Sequence, residues 1–338
     1  MTEHGADYLP EPLTVLEICA GAGGQALGLE KAGFSPVALV EIEAVACDTL
    51  LLNRPEWPVY QADVTTFNGK PFEGVDLLAG GVPCPPFSIA GKQLGAEDER
   101  DLFPAALRLV REARPRAVML ENVRGFAGSR FDSYRRNLQR ELSDMGYNSE
   151  WRVLNAAGFG VPQLRPRWIL VGLREEHFVN FDWPAPKRTR KTVGGTLRSL
   201  MASAGWPGAI PWSHRANSIA PTLVGGSRKH GGPDLGPTRA KQAWAKLGVD
   251  GLGIANAPPA PDFPEDSMPR LTTAMVARLQ GFPASWRIAG RKTAQYRQIG
   301  NAFPPPVARA VSSEIQSALA GGVRHRLMEA AVEAAGGA

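Results

Sequence analysis

A chain of 338 residues is long enough to bury a sizeable core, as one large domain or two modest ones. With 43% hydrophobic and 21% charged residues it is globular rather than a disordered polyelectrolyte, and no apolar run approaches the length of a membrane span. The formal net charge of +5 suits a nucleic-acid partner and equally an ordinary basic protein, so charge alone decides nothing. The three cysteines, Cys19, Cys47 and Cys84, have no paired spacing, which argues against a disulfide framework or a zinc site and for a reducing compartment. The opening MTEHGADYLP lacks the charged-then-apolar pattern of a secretory signal, so the cytoplasm is the expected location.

Apolar strand-like runs alternate with helical stretches through the first half. LTVLEIC (13–19) leads into glycines and a helix ending near Gly33. PVALVEI (36–42) precedes a helix from Ala44 to Asn53. VDLLAGG (75–81) reads as a short buried strand, a helix follows over Leu102 to Glu112, and RAVMLEN (116–122) is strand-like again. This alternation implies an α/β fold with a parallel sheet, whose ligands sit at the carboxyl ends of the strands. From about residue 174 to 268 the periodicity weakens and Gly, Pro, Ser and Trp accumulate, with basic runs KRTRK (187–191) and VGGSRKHGG (224–232), so a second, loop-rich domain is expected. The helical pattern resumes at Leu271, a last helix is expected from Pro305 to about Leu319, and the tail VEAAGGA is expected to fray.

The first strand ends in CAGAGGQALG (19–28). Glycines at a strand-to-helix turn let a ligand approach the backbone. Glu41 ends the second strand, where a carboxylate can accept both hydroxyls of a ribose, and Asp63 is placed near an adenine at the end of the third. A nicotinamide-dependent oxidoreductase is a rival here, since Gly21 and Gly23 begin the dinucleotide pattern, although Ala26 fills its last glycine position. The segment GGVPCPPFSIAGKQLGAEDERDLF (80–103) changes that balance. Prolines fix the backbone around Cys84 immediately after a buried strand, and a charged loop with Gly91 and Gly95 as hinges follows it. A nucleophilic thiol in that position needs nearby positive charge to lower its pKa.

With these residues in view, the chain resembles the cytosine-5 DNA methyltransferases of bacterial restriction–modification systems. The resemblance covers about residues 13–173 and 269–312 and rests on blocks that follow the family's order: CAGAGG, GVPCPPFS, ERDLF (99–103), ENV (121–123), QLRPR (163–167), RLTTAMVARLQGFP (270–283) and QIGNAFPPPVA (298–308). It implies a Rossmann-like S-adenosylmethionine-dependent methyltransferase domain over 1–173 and 269–320, a smaller loop-rich target-recognition domain over 174–268, and a tail over 321–338. S-adenosylmethionine is the implied cofactor, held by Cys19, Ala20, Gly21, Gly23, Gly24, Glu41, Ile42, Asp63, Val64, Pro83, Asn301 and Ala302. The implied partner is double-stranded DNA, met by a monomer whose genetic partner is a restriction endonuclease.

The chemistry accounts for the residue types. Carbon 5 of cytosine is a poor nucleophile until a thiolate, implied to be Cys84, adds to carbon 6. Glu121 is implied to protonate N3, which requires burial to raise its pKa. Arg167 is implied to contact O2, Arg165 to hold the catalytic loop or the acid, and Asn122 to orient the exocyclic amine or the loop. The target base must be flipped out of the duplex. Ser88, Lys92, Gln93 and Arg100 in the loop, with Arg215, Arg228 and Lys229 in the second domain, are the expected DNA contacts. The chain departs from the family pattern at Cys19, where phenylalanine is common, at Pro85 for glutamine, at Met275 for glutamate, and at Phe303 for a smaller residue. A tRNA methyltransferase of the same fold, which carries a late Cys-Phe-Thr signature, is disfavoured because no cysteine follows Cys84. A catalytically decayed DNA-binding homologue is disfavoured because Cys84, Glu121, Arg165 and Arg167 are all present.

Overall fold

The computed structural model describes residues 12–83, 101–187, 190–225 and 234–336, with side chains through residue 321. Strands β1 (Leu13–Ile18), β2 (Phe34–Glu41), β3 (Val59–Gln61), β4 (Leu77–Gly81), β5 (Ala117–Val123), β6 (Tyr147–Asn155) and β7 (Pro166–Arg174) form one sheet in the order β3-β2-β1-β4-β5-β7-β6. The first five strands are parallel, as the alternation predicts. β7 enters antiparallel between β5 and β6. No strand was expected over 147–155 or 166–174. β7 is buried from Arg167 to Leu173, so it has the continuous apolar run of an interior strand rather than an alternation.

The eleven helices among the described residues are α1 (Gly24–Glu30), α2 (Ala44–Asn53), α3 (Phe103–Ala113), α4 (Asp132–Asp144), α5 (Glu175–Phe178), α6 (Val193–Ala202), α7 (Ala209–Arg215), α8 (Thr238–Ala245), α9 (Thr273–Gln280), α10 (Lys292–Asn301) and α11 (Pro305–Gly336). Side chains alternate across the sheet, so Leu16 and Ile18 of β1 join α3 and α4 on one face. Val15 joins Leu29 of α1 and Val307, Val311 and Ile315 of α11 on the other. α11 overturns the expectation of an end near Leu319 and a frayed tail: it continues to Gly336. After Gly322 most of its residues are Ala, Glu, Arg, Leu or Met, strong helix formers, and no proline stops it. No helix among the described residues is long and apolar enough to cross a membrane.

Segment 174–268 contributes α5, α6, α7 and α8 as well as loops. Trp206, Trp212 and Trp244 anchor it in a buried cluster that also holds Leu271, Phe282, Trp286 and Ile299. Two of these indoles satisfy their N–H groups on backbone carbonyls, Trp206 on Phe263 at 3.0 Å and Trp212 on Gly248 at 2.9 Å. Met275, the departure in the RLT block, is fully buried at the start of α9, where its Sδ accepts the Thr272 N–H at 3.4 Å while Thr272 Oγ1 accepts the Met275 N–H at 3.3 Å. A thioether thus completes a helix cap usually closed by a carboxylate or amide.

An aromatic cluster packs beside β5. Trp168 of β7 lies edge-on to Phe126 with ring centroids 4.7 Å apart, and Phe126 stacks on Phe103 at 5.0 Å. Replacing Trp168 by alanine should cost about 3–5 kcal/mol of stability, the range for deleting a buried aromatic. Trp168→Phe should cost much less, because the indole N–H has no partner in the described structure to lose. Urea unfolding of the two variants measures both; a loss under ~1 kcal/mol for the alanine variant would contradict tight packing here.

Candidate active site

Two hollows adjoin at the carboxyl ends of the parallel strands. The first is a cleft of about 220 Å³. Its floor is the turn after β1, where Cys19 and Gly21 have left-handed backbone (φ 53° and 54°) and lead into α1. Glu41, at the end of β2, closes one side. Its carboxylate accepts the Gly21 N–H and the Glu43 N–H, each at 2.8 Å, and so ties the turn to the second strand. A carboxylate offers about four acceptor positions, so about two remain for a ligand's hydroxyls. Gly24 leaves no room for a side chain, since a Cβ there would come within 2.3 Å of the Phe303 carbonyl oxygen.

Of the expected cofactor residues, Cys19, Ala20, Gly21, Gly24, Glu41, Asn301 and Ala302 line this cleft. Five do not. Gly23 faces Leu50 and Trp286, which a Cβ would meet at 2.7 and 2.8 Å. Ile42 is 60% exposed, and Val64 is buried among the apolar residues of β1 and β2. Asp63 sits exposed in a turn two residues beyond β3, with its Oδ1 accepting the Thr65 N–H and hydroxyl at 2.8 Å; these bonds hold its pKa low. Pro83 lines the second hollow instead. The cleft wall also includes Gln25, Glu43, Arg297, Gln298 and Phe303, which the reading of motifs passed over. Burial pushes the Cys19 thiol up to about 12, with Glu41 adding to the effect, so it lines the cleft as a neutral group.

The second hollow, of about 640 Å³, opens where β4 and β5 end. Glu121 and Arg167 meet inside it, with Arg167 Nε 2.8 Å from Glu121 Oε1 and both side chains almost wholly buried. The antiparallel register creates this pair: Arg167 lies opposite Val123, two residues along β5 from Glu121 and on the same face. Burial raises the Glu121 pKa, and the Arg167 and Arg165 charges only partly oppose it. Asn122 donates to the Val82 carbonyl at 3.2 Å, fixing the backbone two residues before Cys84. Val82 and Pro83 line this hollow, so the chain leaves β4 along its wall. Cys84, Ser88, Lys92, Gln93, Arg100, Arg188, Arg228, Lys229 and His230 lie outside the described residues.

Arg165 is fully buried. Of the two roles expected for it, the catalytic loop lies outside the described residues, and its hydrogen bonds go mainly to backbone carbonyls rather than to Glu121. Its Nη1 donates to the Leu223 carbonyl at 2.6 Å, and its Nη2 to the carbonyls of Gly300 at 2.6 Å and Ala302 at 3.1 Å. Gln163 completes the junction: its Oε1 accepts the Leu223 N–H at 2.9 Å, and its amide donates to Gln280 Oε1 at 2.8 Å. The segment 222–225 is thereby pinned against Gly300 and Asn301 as one wall of the hollow. The two chains touch through glycines: a Cβ on Gly300 would lie 2.4 Å from the Gly225 nitrogen, and one on Gly225 would lie 2.4 Å from Asn301 Oδ1. Gln163 opens the QLRPR block and the pair Gly225–Gly226 stands in the sequence, but neither carries a local sign that they converge. Arg215 lies away from both hollows, exposed at the end of α7, with a 3.5 Å contact to the Glu265 carbonyl.

Comparison with known proteins agrees with this geometry. The family described as C-5 cytosine-specific DNA methylase matches residues 13–317. The type II methyltransferase M.NaeI of Lentzea aerocolonigenes is 57% identical over 313 residues, covering 91% of this chain and 76% of its own. The type II methyltransferase M.NgoMIV of Neisseria gonorrhoeae is 53% identical over 310 residues, covering 90% and 98%. Among solved structures, a putative DNA modification methyltransferase encoded within a prophage of E. coli superposes with a TM-score of 0.62 at 22% identity, over 91% of this chain and 99% of its own, a likeness of fold.

The buried pair makes a pH prediction. Because burial raises the Glu121 pKa, the native carboxyl keeps its proton at pH values where the unfolded carboxyl has lost it. Its contribution to stability is therefore largest below the ordinary carboxylate range and declines as pH rises to the native value. Glu121→Gln should flatten that part of the stability–pH curve, and Arg167→Met, which removes the opposing charge, should push the Glu121 titration higher still. Carbon-13 NMR of labelled glutamate carboxyls measures the titration; a Glu121 signal that titrates in the ordinary range would contradict the assignment.

Proposed function

The chain belongs to the C-5 cytosine-specific DNA methylase family and methylates carbon 5 of cytosine in DNA; from that premise we propose that the hollow holding Glu121 and Arg167 receives a flipped cytosine and that Cys84 attacks it. The observation that carries this reading is the buried acid–guanidinium pair at the end of β5, beside the segment that leads into Cys84. A base within a duplex cannot reach so enclosed a pair, so it must leave the stack at a cost of a few kcal/mol.

The neighbouring cleft fits S-adenosylmethionine. Glu41 stands where ribose hydroxyls need an acceptor, the glycine turn admits a ligand close to the backbone, and Gln25 offers a buried amide without a partner among the described residues. When bound, this cofactor supplies an electrophilic methyl group on a positively charged sulfur. The cleft and the base hollow share Gly81 and Asn301, so a methyl donor held in the cleft would reach the base hollow through that junction.

The thiolate of Cys84 adds to carbon 6, forming a carbon–sulfur bond and sending the ring electrons toward carbon 5 and N3. Glu121, held near its proton by burial, supplies the proton or hydrogen bond at N3, while Arg167 holds the acid and faces O2. Methyl transfer to carbon 5 would break the sulfur–methyl bond and leave the neutral thioether S-adenosylhomocysteine; carbon 5 would then give its proton to water, and the Cys84 thiolate would leave as the ring double bond reforms. Arg165 is a positioning residue that acts through the Leu223, Gly300 and Ala302 carbonyls. Asn122 likewise acts through the Val82 carbonyl, which sets the approach to Cys84.

Residues 174–268 are proposed to read the DNA sequence, with Arg215, Arg228 and Lys229 among the contacts and Ser88, Lys92, Gln93 and Arg100 closing on the target from the Cys84 loop. The protein is proposed to act as a monomer in the cytoplasm, with a cognate endonuclease as its genetic partner. Two relatives above half identity are type II methyltransferases, which supports that setting.

Duplex DNA carrying 5-fluorocytosine at the target should trap the wild-type enzyme covalently, because carbon 5 then has no proton to lose. Cys84→Ala should abolish both trapping and methylation, by several orders of magnitude, while S-adenosylmethionine still binds by calorimetry. Near-normal methylation by Cys84→Ala would overturn the mechanism. The recognition assignment has its own test: residues 174–268 grafted into a related enzyme should carry the site preference with them, read by bisulfite sequencing of a randomised-site library. An unchanged preference in an active graft would refute it.

A further inference from the structure

We propose that Gln25 recognises the α-amino-acid arm of S-adenosylmethionine, and so distinguishes the full cofactor from adenosyl thioethers that lack that arm. The inference rests on the cofactor reading of the cleft and extends it to a residue for which the motif itself gives no role.

Gln25 is the second residue of α1, directly after the glycine turn. It lines the cleft, is 4% exposed, and neither Nε2 nor Oε1 has a hydrogen-bond partner among the described residues. An apolar side chain at this buried helical position would be favoured over an unpaired amide, which costs stability on both its donor and its acceptor side. Its neighbours on α1, Ala26 and Leu27, are apolar and packed in the core. The amide therefore breaks the pattern at the one residue of the helix's first turn, beyond Gly24, that faces the cleft.

The sheet order says which part of the cofactor reaches it. β1 lies between β2 and β4. Glu41 at the end of β2 anchors the ribose side, and the reacting sulfur must lie toward β4, where Gly81 and Asn301 join the cleft to the base hollow. The ligand thus crosses the end of β1, and Gln25 stands on the helix that follows it. With ribose and sulfur placed, the polar arm still without a partner is the one carrying a carboxylate and an ammonium. A primary amide offers two donors for the first and an acceptor for the second. Glu17, whose carboxyl meets the Ala26 backbone, has its pKa raised by burial, which favours its uncharged form.

Calorimetry on the full chain tests this with two ligands: S-adenosylhomocysteine, which carries the arm, and 5′-methylthioadenosine, which does not. Gln25→Leu and Gln25→Met are compared with wild type, so that one variant reports if the other folds poorly. Each should bind S-adenosylhomocysteine at least about tenfold more weakly, the usual loss for a hydrogen bond to a charged group. Each should bind 5′-methylthioadenosine within about twofold of wild type, which also shows the cleft intact. Equal losses for both ligands, or no loss for either, would overturn the role of Gln25 alone. A wild-type protein that binds neither ligand would overturn the cofactor reading and this inference together.

Discussion

One buried cation holds the two hollows in register. Arg165 is fully enclosed, and taking a guanidinium out of water is tolerable only where its hydrogens meet strong acceptors. The acceptors are main-chain carbonyls from two distant segments, 223 and 300–302, rather than a carboxylate. That choice has a consequence. A carboxylate would have neutralised the site, whereas carbonyl dipoles leave the positive charge in place, close enough to act on Glu121. The same group thus sets the distance between chain segments and biases the electrostatics of the acid.

Glu121 stands between opposing influences. Burial favours its neutral form, and Arg167 and Arg165 favour its charged form. Desolvation prevails, which leaves a carboxyl that can hold a proton and yet remain oriented by a guanidinium 2.8 Å away. Cys19, in the adjoining cleft, shows the other use of burial. Its thiol is pushed far from ionisation and contributes shape only.

Segment 174–268 is joined to the rest of the chain by packing and by hydrogen bonds. Its tryptophans share a cluster with Phe282 and Trp286, and Trp286 donates to the Ala22 carbonyl in the cofactor turn at 3.0 Å. Thr222 and Leu223 are bonded to Leu164 and Gln163 in the QLRPR block. A change in segment 174–268 therefore bears directly on the wall of the second hollow, which Thr222, Leu223, Val224 and Gly225 line.

The amino-acid sequence by itself determined the parallel half of the sheet, the glycine turn, the Glu41 position and the blocks that carry Glu121, Arg165 and Arg167. Each of these is a local pattern: an apolar run of strand length, a glycine cluster at a strand end, a charged residue just beyond a buried one. The tertiary structure alone decided what those residues face. The antiparallel insertion of β7 set Arg167 against Glu121, and no local pattern foretold it, because an interior strand reads as apolar in either direction. Gly23, Ile42 and Val64 sit in or beside the expected motifs yet do not line the cleft: Gly23 abuts Leu50 and Trp286, Ile42 is exposed, and Val64 is buried in the core. Gln25, Gln163 and Gly225 carry positions in the site because segments far apart in sequence converge there, and convergence is a property of packing that a linear pattern does not contain.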